Sequence, residues 1–211
     1  MQNSTLAVGS LAALDGVLGN DQLFDWGSNV DVVIVPTAAA FTGAAEAAVM
    51  AAHVLERLDA RVEALMVTDR SSSAQPYFVE RLAQADVVVL CDGSALHARS
   101  VWRNTPVGGA IAQASQLIAL GGVASVLGEV MIDPRGGAPM IGLGYRPGVA
   151  FCAPASTEQL ARTRSLLASD VTLVVLGPRG VLQFVNQQWR IVQADDVVVT
   201  RGPTIVALYD S

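Results

Sequence analysis

Residues 86–94 read DVVVLCDGS, an apolar β-branched run that stops at a cysteine and an Asp-Gly turn. No polar residue interrupts Val87–Leu90, so the strand Asp86–Leu90 is expected to be buried on both faces, as in a parallel sheet. Ser94 then stands where an N-cap hydroxyl opens a helix running to about Arg103. Upstream, Val30–Val35 (VDVVIV) is a similar strand ended by Pro36, and Arg61–Val67 (RVEALMV) is another. Between them Gly43–Leu58 has helical spacing. Ala47, Ala51, Leu55 and Leu58 share one face, and Glu46, His53, Glu56 and Arg57 fall largely on the other. Pro76–Ala85 reads as a short helix. Downstream, Gly108–Ser115 is a further helix and Leu117–Leu120 a fourth strand, before Gly121-Gly122. Strands alternating with helices argue for parallel βαβ units with right-handed crossovers.

After Asp133 the texture changes. Asp133-Pro134-Arg135-Gly136-Gly137 and Gly142-Leu143-Gly144 are loop signals. Val149–Cys152 is a short strand and Thr157–Leu167 an amphipathic helix. Val171–Leu176, Val181–Val185, Trp189–Val192, Val197–Thr200 and Ile205–Leu208 then read as strand after strand. This tail is expected to be an antiparallel meander that extends or caps the sheet. With no internal repeat or linker, residues 1–211 read as a single α/β domain.

Composition removes several functions. Hydrophobic residues make up 52% of the chain and charged residues 15%, which excludes disorder. The net charge of -6 argues against nucleic acid as a partner. All 13 basic residues are arginine, so lysine Schiff-base chemistry and the lysine phosphate loop are excluded. The two cysteines cannot build a disulfide framework or a four-cysteine metal site, the two histidines severely limit zinc and general-base chemistry, and no metal or cofactor is expected. The start, Met1–Ser10, lacks a basic stretch followed by an apolar core, and no run approaches the ~18 apolar residues of a membrane span. A cytoplasmic protein is the expectation.

In open α/β sheets ligands bind beyond the carboxyl ends of the strands. The corresponding turns carry Thr37, then Asp69-Arg70, then Cys91-Asp92-Gly93-Ser94, then Gly121-Gly122 with Ala124 and Ser125. The last turn is where a doubly wound hydrolase exposes its nucleophile. Thr37, Asp92, Gly93, Ser94, Gly121, Gly122, Ala124 and Arg135 are the candidate cleft residues. Ser125, His97 and Cys91 are the candidate catalytic groups, each with a plainer reading beside it. Ser125 also fits a small polar residue near a helix start. His97 also fits packing or solvent, and Cys91 an inert core thiol six residues away from it. His53 is expected on a solvated face and Cys152 in the core. Arg135 is expected to fork onto an internal Asp69 or Asp133, with a substrate carboxylate as the alternative.

The ordered pieces Val33–Ala39, Val67–Arg70, Cys91-Asp92-Gly93 with Leu96 and Thr105-Pro106, Asp133–Ala138, Gly142–Gly144, Gly180–Leu182 and Trp189–Ile191 resemble the dipeptidase E and cyanophycinase family of serine peptidases. The resemblance implies a class I glutamine amidotransferase-like fold, a three-layer α/β sandwich with a mainly parallel central sheet. The family elbow reads Gly-x-Ser-Ala-Gly-Ala, whereas this chain reads ALGGVASV over residues 119–126. Alignment on the downstream Asp-Pro-Arg-Gly-Gly puts the nucleophile position at Gly121; alignment on the paired glycines puts it at Ala124. The family's histidine would fall near residues 151–156 and its acid near 177–180, and neither stretch supplies one. The resemblance therefore implies a non-catalytic homologue acting as a binding or structural protein, as a homodimer. Two other readings stay open. One is a hydrolase using Ser125 or Cys91 with His97. The other is a sensor of a small peptide or an acidic or arginine-containing metabolite, using Asp92, Ser94 and Arg135.

Overall fold

The computed structural model describes residues 4–20, 23, 29–201 and 204–205. Its first half consists of β1 (Ser4–Val8), α1 (Leu11–Val17), β2 (Asp31–Val35), α2 (Ala44–Leu55), β3 (Arg61–Ala64), α3 (Pro76–Gln84), β4 (Val87–Leu90), α4 (Ala95–Trp102), α5 (Pro106–Gln113) and β5 (Gln116–Leu120). There follow β6 (Val130–Ile132), β7 (Pro139–Ile141), β8 (Val149–Cys152), α6 (Thr157–Leu166), β9 (Thr172–Leu176), β10 (Val181–Val185), β11 (Gln188–Gln193), β12 (Val197–Arg201) and β13 (Thr204–Ile205).

The main sheet has seven strands in the order β11-β10-β1-β5-β4-β2-β3. From β1 to β3 every pairing is parallel, and β10 and β11 add an antiparallel edge. The pleat sends alternate side chains to opposite faces. Val32, Ile34, Val87, Val89 and Ile118 pack with Leu14 of α1 and Ala48, Ala51 and Leu55 of α2. Val33, Val35, Val88, Leu90 and Leu117 pack the other way, against Leu82 of α3, Ala98, Val101 and Trp102 of α4 and Ile111 of α5. Helices thus cover both faces, the condition that uninterrupted apolar strands impose.

Several helix boundaries follow from caps. Ser94, Thr105 and Ser156 each accept a backbone N–H through the side chain, starting α4, α5 and α6. Pro106 at the first position of α5 has no N–H to leave unpaired, so that helix starts earlier than the sequence reading placed it. The helix predicted over Gly43–Leu58 is α2 followed by a tighter turn, Glu56–Leu58, which ends at Asp59 with φ 57°.

Two expectations need correction. The reading missed β1 and α1, because STLAV is short and begins with two hydroxyl residues; yet β1 lies inside the sheet, between β10 and β5. The tail is also not one meander. β9 pairs in parallel with β8 and antiparallel with β12, in a separate four-stranded sheet, β13-β12-β9-β8. β10 and β11 form a hairpin on the main sheet, so the chain leaves the small sheet at Gly177 and returns to it at Val197. The loop signal at 133–137 is the turn of the β6–β7 hairpin. Of the strand expected over Ile205–Leu208, residues 206–208 lie outside the described residues. No described helix is long and apolar enough to cross a membrane.

At the β3 edge, Arg81 of α3 donates to Glu63 Oε2 at 2.5 Å and to Asp31 Oδ1 at 2.7 Å, and Tyr77 Oη donates to Glu63 Oε1 at 2.8 Å. Arg81 first, and Tyr77 second, hold the Glu63 carboxyl below its ordinary value of 4.5. A carboxyl depressed in the folded state stabilises it above that ordinary value, and the contribution is lost as pH falls through the folded value. Glu63→Gln is therefore expected to cost under ~1 kcal/mol near neutral pH, since the side chain is partly exposed, and less at about pH 3, below the ordinary carboxyl value. Paired thermal melts at the two pH values check it. An equal loss at both would contradict the ion-pair assignment.

Candidate functional site

β4 and β5 lie side by side and end at the same edge of the sheet. The segments that leave them, Cys91–Ser94 and Gly121–Val126, therefore meet. Gly93 has φ +144°, and a Cβ there would come within 2.4 Å of the Ala38 carbonyl oxygen. Ser94 N–H donates to that same oxygen at 2.7 Å. Only a glycine permits this close crossing. Gly121 follows β5 directly with φ +55°, in the left-handed region. The chain then enters a 3-10 helix, Gly121–Val126. This is a sharp strand-to-helix bend, the geometry in which elbow hydrolases expose a nucleophile, and its apex is Gly121.

The Asp92 carboxylate fills the space beside that apex. Its Oδ1 accepts the Gly93 N–H at 2.7 Å and the Gly122 N–H at 2.8 Å. A Cβ on Gly121 would lie 2.1 Å from Asp92 Cγ and 2.2 Å from its Oδ2. In an elbow hydrolase, the N–H after the nucleophile and one N–H from a neighbouring loop together form the oxyanion hole. Here the Gly93 and Gly122 N–H groups both point at one carboxylate oxygen of the protein itself.

The other candidates do not form a nucleophile–base pair. Ser125 is 7% exposed, and its Oγ donates to the Gly122 carbonyl oxygen at 2.7 Å. His97 Nε2 lies 2.8 Å from the Thr68 carbonyl oxygen, and its ring packs on Phe41 at 4.5 Å between centroids. Cys91 is buried with Val87, Val89 and the α2 residues, on the sheet face opposite the one that α4 covers. Burial, with Asp92 adding to it, pushes its thiol up to about 12, which removes the thiolate a nucleophile needs. His53 is exposed on α2.

Two cleft expectations, Thr37 and Ala124, are overturned, and Arg135 takes the internal carboxylate partner expected of it. Thr37 is fully buried: its Oγ1 donates to the Val67 carbonyl oxygen at 2.5 Å and accepts from Trp102 Nε1 at 3.1 Å, satisfying an indole under the sheet. Ala124 is also fully buried, since the 3-10 helix turns it into the core. Arg135 forks onto Asp133, Nε to Oδ1 at 3.2 Å and Nη2 to Oδ2 at 3.3 Å, and its side chain is 76% exposed. That pairing holds the Asp133 carboxyl below its usual range.

Around the elbow lie a cavity of about 220 Å³ and a second of about 170 Å³, which share Gly122, Ser125, Cys152, Ala153 and Pro154. Gly93 and Ser94 line the larger, Asp92 and Gly121 the smaller. Cys152, expected in the core, is half-buried and lines both; burial pushes its thiol up to about 11, with Arg164 opposing. The sequence reading also missed Asp133, Gln159 and Thr163, which line the larger cavity. The amphipathic pattern of α6 placed a helix there but gave no sign that its inner face meets the turn after β6. No histidine or arginine among the described residues lines either cavity.

Neither a protein-family description nor a curated protein matches the chain. Solved structures do. A peptidase from an acI-B1 Actinobacterium superposes with a TM-score of 0.77 at 20% identity, covering 100% of this chain and 96% of the other. A protein of Listeria monocytogenes EGD-e described as a candidate Peptidase E superposes with a TM-score of 0.61 at 11% identity, covering 95% of this chain and 99% of the other. At these identities the likeness establishes a shared fold.

Proposed function

We propose that this protein is a non-catalytic homologue of the dipeptidase E and cyanophycinase-type serine peptidases, on a class I glutamine amidotransferase-like scaffold, whose cleft binds without cleaving. The observation that carries this reading is the Asp92 carboxylate, seated on the N–H groups of Gly93 and Gly122 beside a glycine at the elbow apex. Acyl transfer needs those donors free for the oxygen of the tetrahedral intermediate, at about 2.7–3.1 Å. Asp92 already occupies them at that range and with the same charge. A hydroxyl nucleophile also needs a base within hydrogen-bond reach, and the Ser125 hydroxyl gives its proton to a backbone carbonyl instead. Losing one oxyanion donor costs about 10²–10³ in turnover, and losing nucleophile and base leaves only the residual effects of binding. The fold likeness to peptidases supports the ancestry.

A fluorophosphonate probe tests this. The purified protein is expected to keep its intact mass after prolonged incubation. A stoichiometric adduct that disappears in Ser125→Ala would replace this reading with that of a hydrolase with a relocated nucleophile.

A further inference from the structure

The outward stripe of α2 is not uniformly polar. Helical spacing puts Glu46, Val49, Met50, His53 and Arg57 on the side away from the buried Ala44, Ala48, Ala51 and Leu55. Val49 is 69% exposed and Met50 56%, in the middle of the face expected from the sequence to be solvated. Phe41, just ahead of the helix, is 80% exposed. A single exposed apolar side chain is ordinary, but three large ones along one short helix are the mark of an interaction surface.

The order of side chains along the stripe says what fits it. From its amino end it reads acid, two apolar residues, base. The midpoint falls between Val49 and Met50, and Glu46 and His53 each lie one turn from it, in opposite directions. Reversing the helix therefore exchanges the acid with the base and leaves the apolar centre in place. An identical helix laid antiparallel across a two-fold axis at this midpoint sets Val49 against Met50, and Glu46 against His53 at both ends. Such i-to-j and j-to-i matching is what a closed symmetric contact requires. An imidazole N–H can donate to a carboxylate in either protonation state. Neither Glu46 nor His53 has an ion-pair partner among the described residues. A parallel pairing would instead set Glu46 beside Glu46 and align the two helix dipoles. In the antiparallel pairing Arg57, held by Asp15 of α1, comes to the stretch around Phe41 of the second copy, where the ring face suits a guanidinium.

We infer that the outward face of α2 is the contact surface of a homodimer, with two copies packing this helix antiparallel across an axis at Val49 and Met50. The two-fold match of charge to charge singles out a second copy, since an unrelated protein places no symmetry on the stripe. The net charge of -6 opposes docking on an anionic lipid surface. The 12 residues of α2 span about 18 Å, so the contact lies at the small end of specific interfaces. The dimer is accordingly weak, and its population rises with protein concentration.

Sedimentation velocity of the whole chain, from micromolar to millimolar concentration, tests this. A reversible shift from monomer to dimer is expected. Val49→Asp should weaken the association at least about ten-fold, because it puts two carboxylates at the apolar axis. Glu46→Arg should weaken it about three-fold, and adding His53→Glu should restore it, because the swap rebuilds both charge pairs. All three positions are exposed, so the melting temperature of the monomer should change little. A native chain that stays monomeric at millimolar concentration would overturn the inference, whatever the folding of the variants. So would a dimer that survives Val49→Asp, or a charge swap that restores nothing. Flotation of a monomeric native chain with phosphatidylcholine vesicles, lost in Val49→Asp, would overturn it in favour of a lipid surface.

Discussion

Gly121→Ser, which puts a hydroxyl at the elbow apex, is expected to destabilise the protein by about 2–6 kcal/mol and to produce no amidase activity. Two costs add. A side chain at φ +55° sits in a region that non-glycine residues occupy at about 1–3 kcal/mol. Its Cβ would also overlap the Asp92 carboxylate at 2.1–2.3 Å, and overpacking of that kind costs about 1–3 kcal/mol more. The second cost depends on Asp92. Asp92→Gly in the Gly121→Ser background should recover the overlap energy and leave the backbone cost, so the two substitutions should be non-additive. Urea unfolding of the two single variants and the double variant measures the coupling. A Gly121→Ser loss below ~1 kcal/mol, or strict additivity, would show that the carboxylate does not sit at the apex.

Arg146→Met is expected to cost about 3–5 kcal/mol. Arg146 is 4% exposed, and every contact its guanidinium makes is with a neutral oxygen. Nε donates to Thr5 Oγ1 at 2.6 Å, Nη1 to the Tyr145 and Ala112 carbonyl oxygens at 2.7 and 3.0 Å, and Nη2 to the Ala114 carbonyl oxygen at 3.4 Å. Ala112 lies in the last turn of α5 and Ala114 is its C-cap, where carbonyls lack intrahelical donors and the helix dipole is negative. The cation replaces those donors and ties the helix end to β1 in the middle of the sheet. Burial alone lowers its basicity, yet an arginine remains charged. Methionine fills much of the volume but leaves the oxygens buried and unpaired, which sets the magnitude. Arg146→Lys should rescue little, since one ammonium cannot span the fork. Guanidinium chloride unfolding of both variants checks this; losses below ~1 kcal/mol would mean that the oxygens find other donors.

The sequence made parts of this legible for a local reason. The runs at β2, β4 and β5 lack alternation because both of their faces are covered, and that pattern is visible without any partner. The turns after β4 and β5 were recognisable from Asp-Gly and Gly-Gly, and the structure brings those turns together. What stayed hidden depends on contacts between distant segments. The role of Asp92 rests on its orientation toward a backbone N–H thirty residues on. Arg146 sits in the unremarkable stretch Gly144-Tyr145-Arg146-Pro147, and its partners lie on β1 and α5. Thr37 was misjudged because a strand-end threonine looks the same whether it faces a cleft or an indole. The tail was misread because alternation identifies strands but does not say which of two sheets each one joins.

The central claim is that this protein's own carboxylate holds the two N–H groups an acyl oxygen would need. Through-hydrogen-bond scalar coupling in ¹⁵N,¹³C-labelled protein reads that contact directly. Correlations from both the Gly93 and the Gly122 amide nitrogens to the Asp92 side-chain carboxyl carbon are the predicted result. A Gly122 amide with no coupling to that carbon, and with rapid exchange against solvent, would show the donor pair to be empty and would contradict the account.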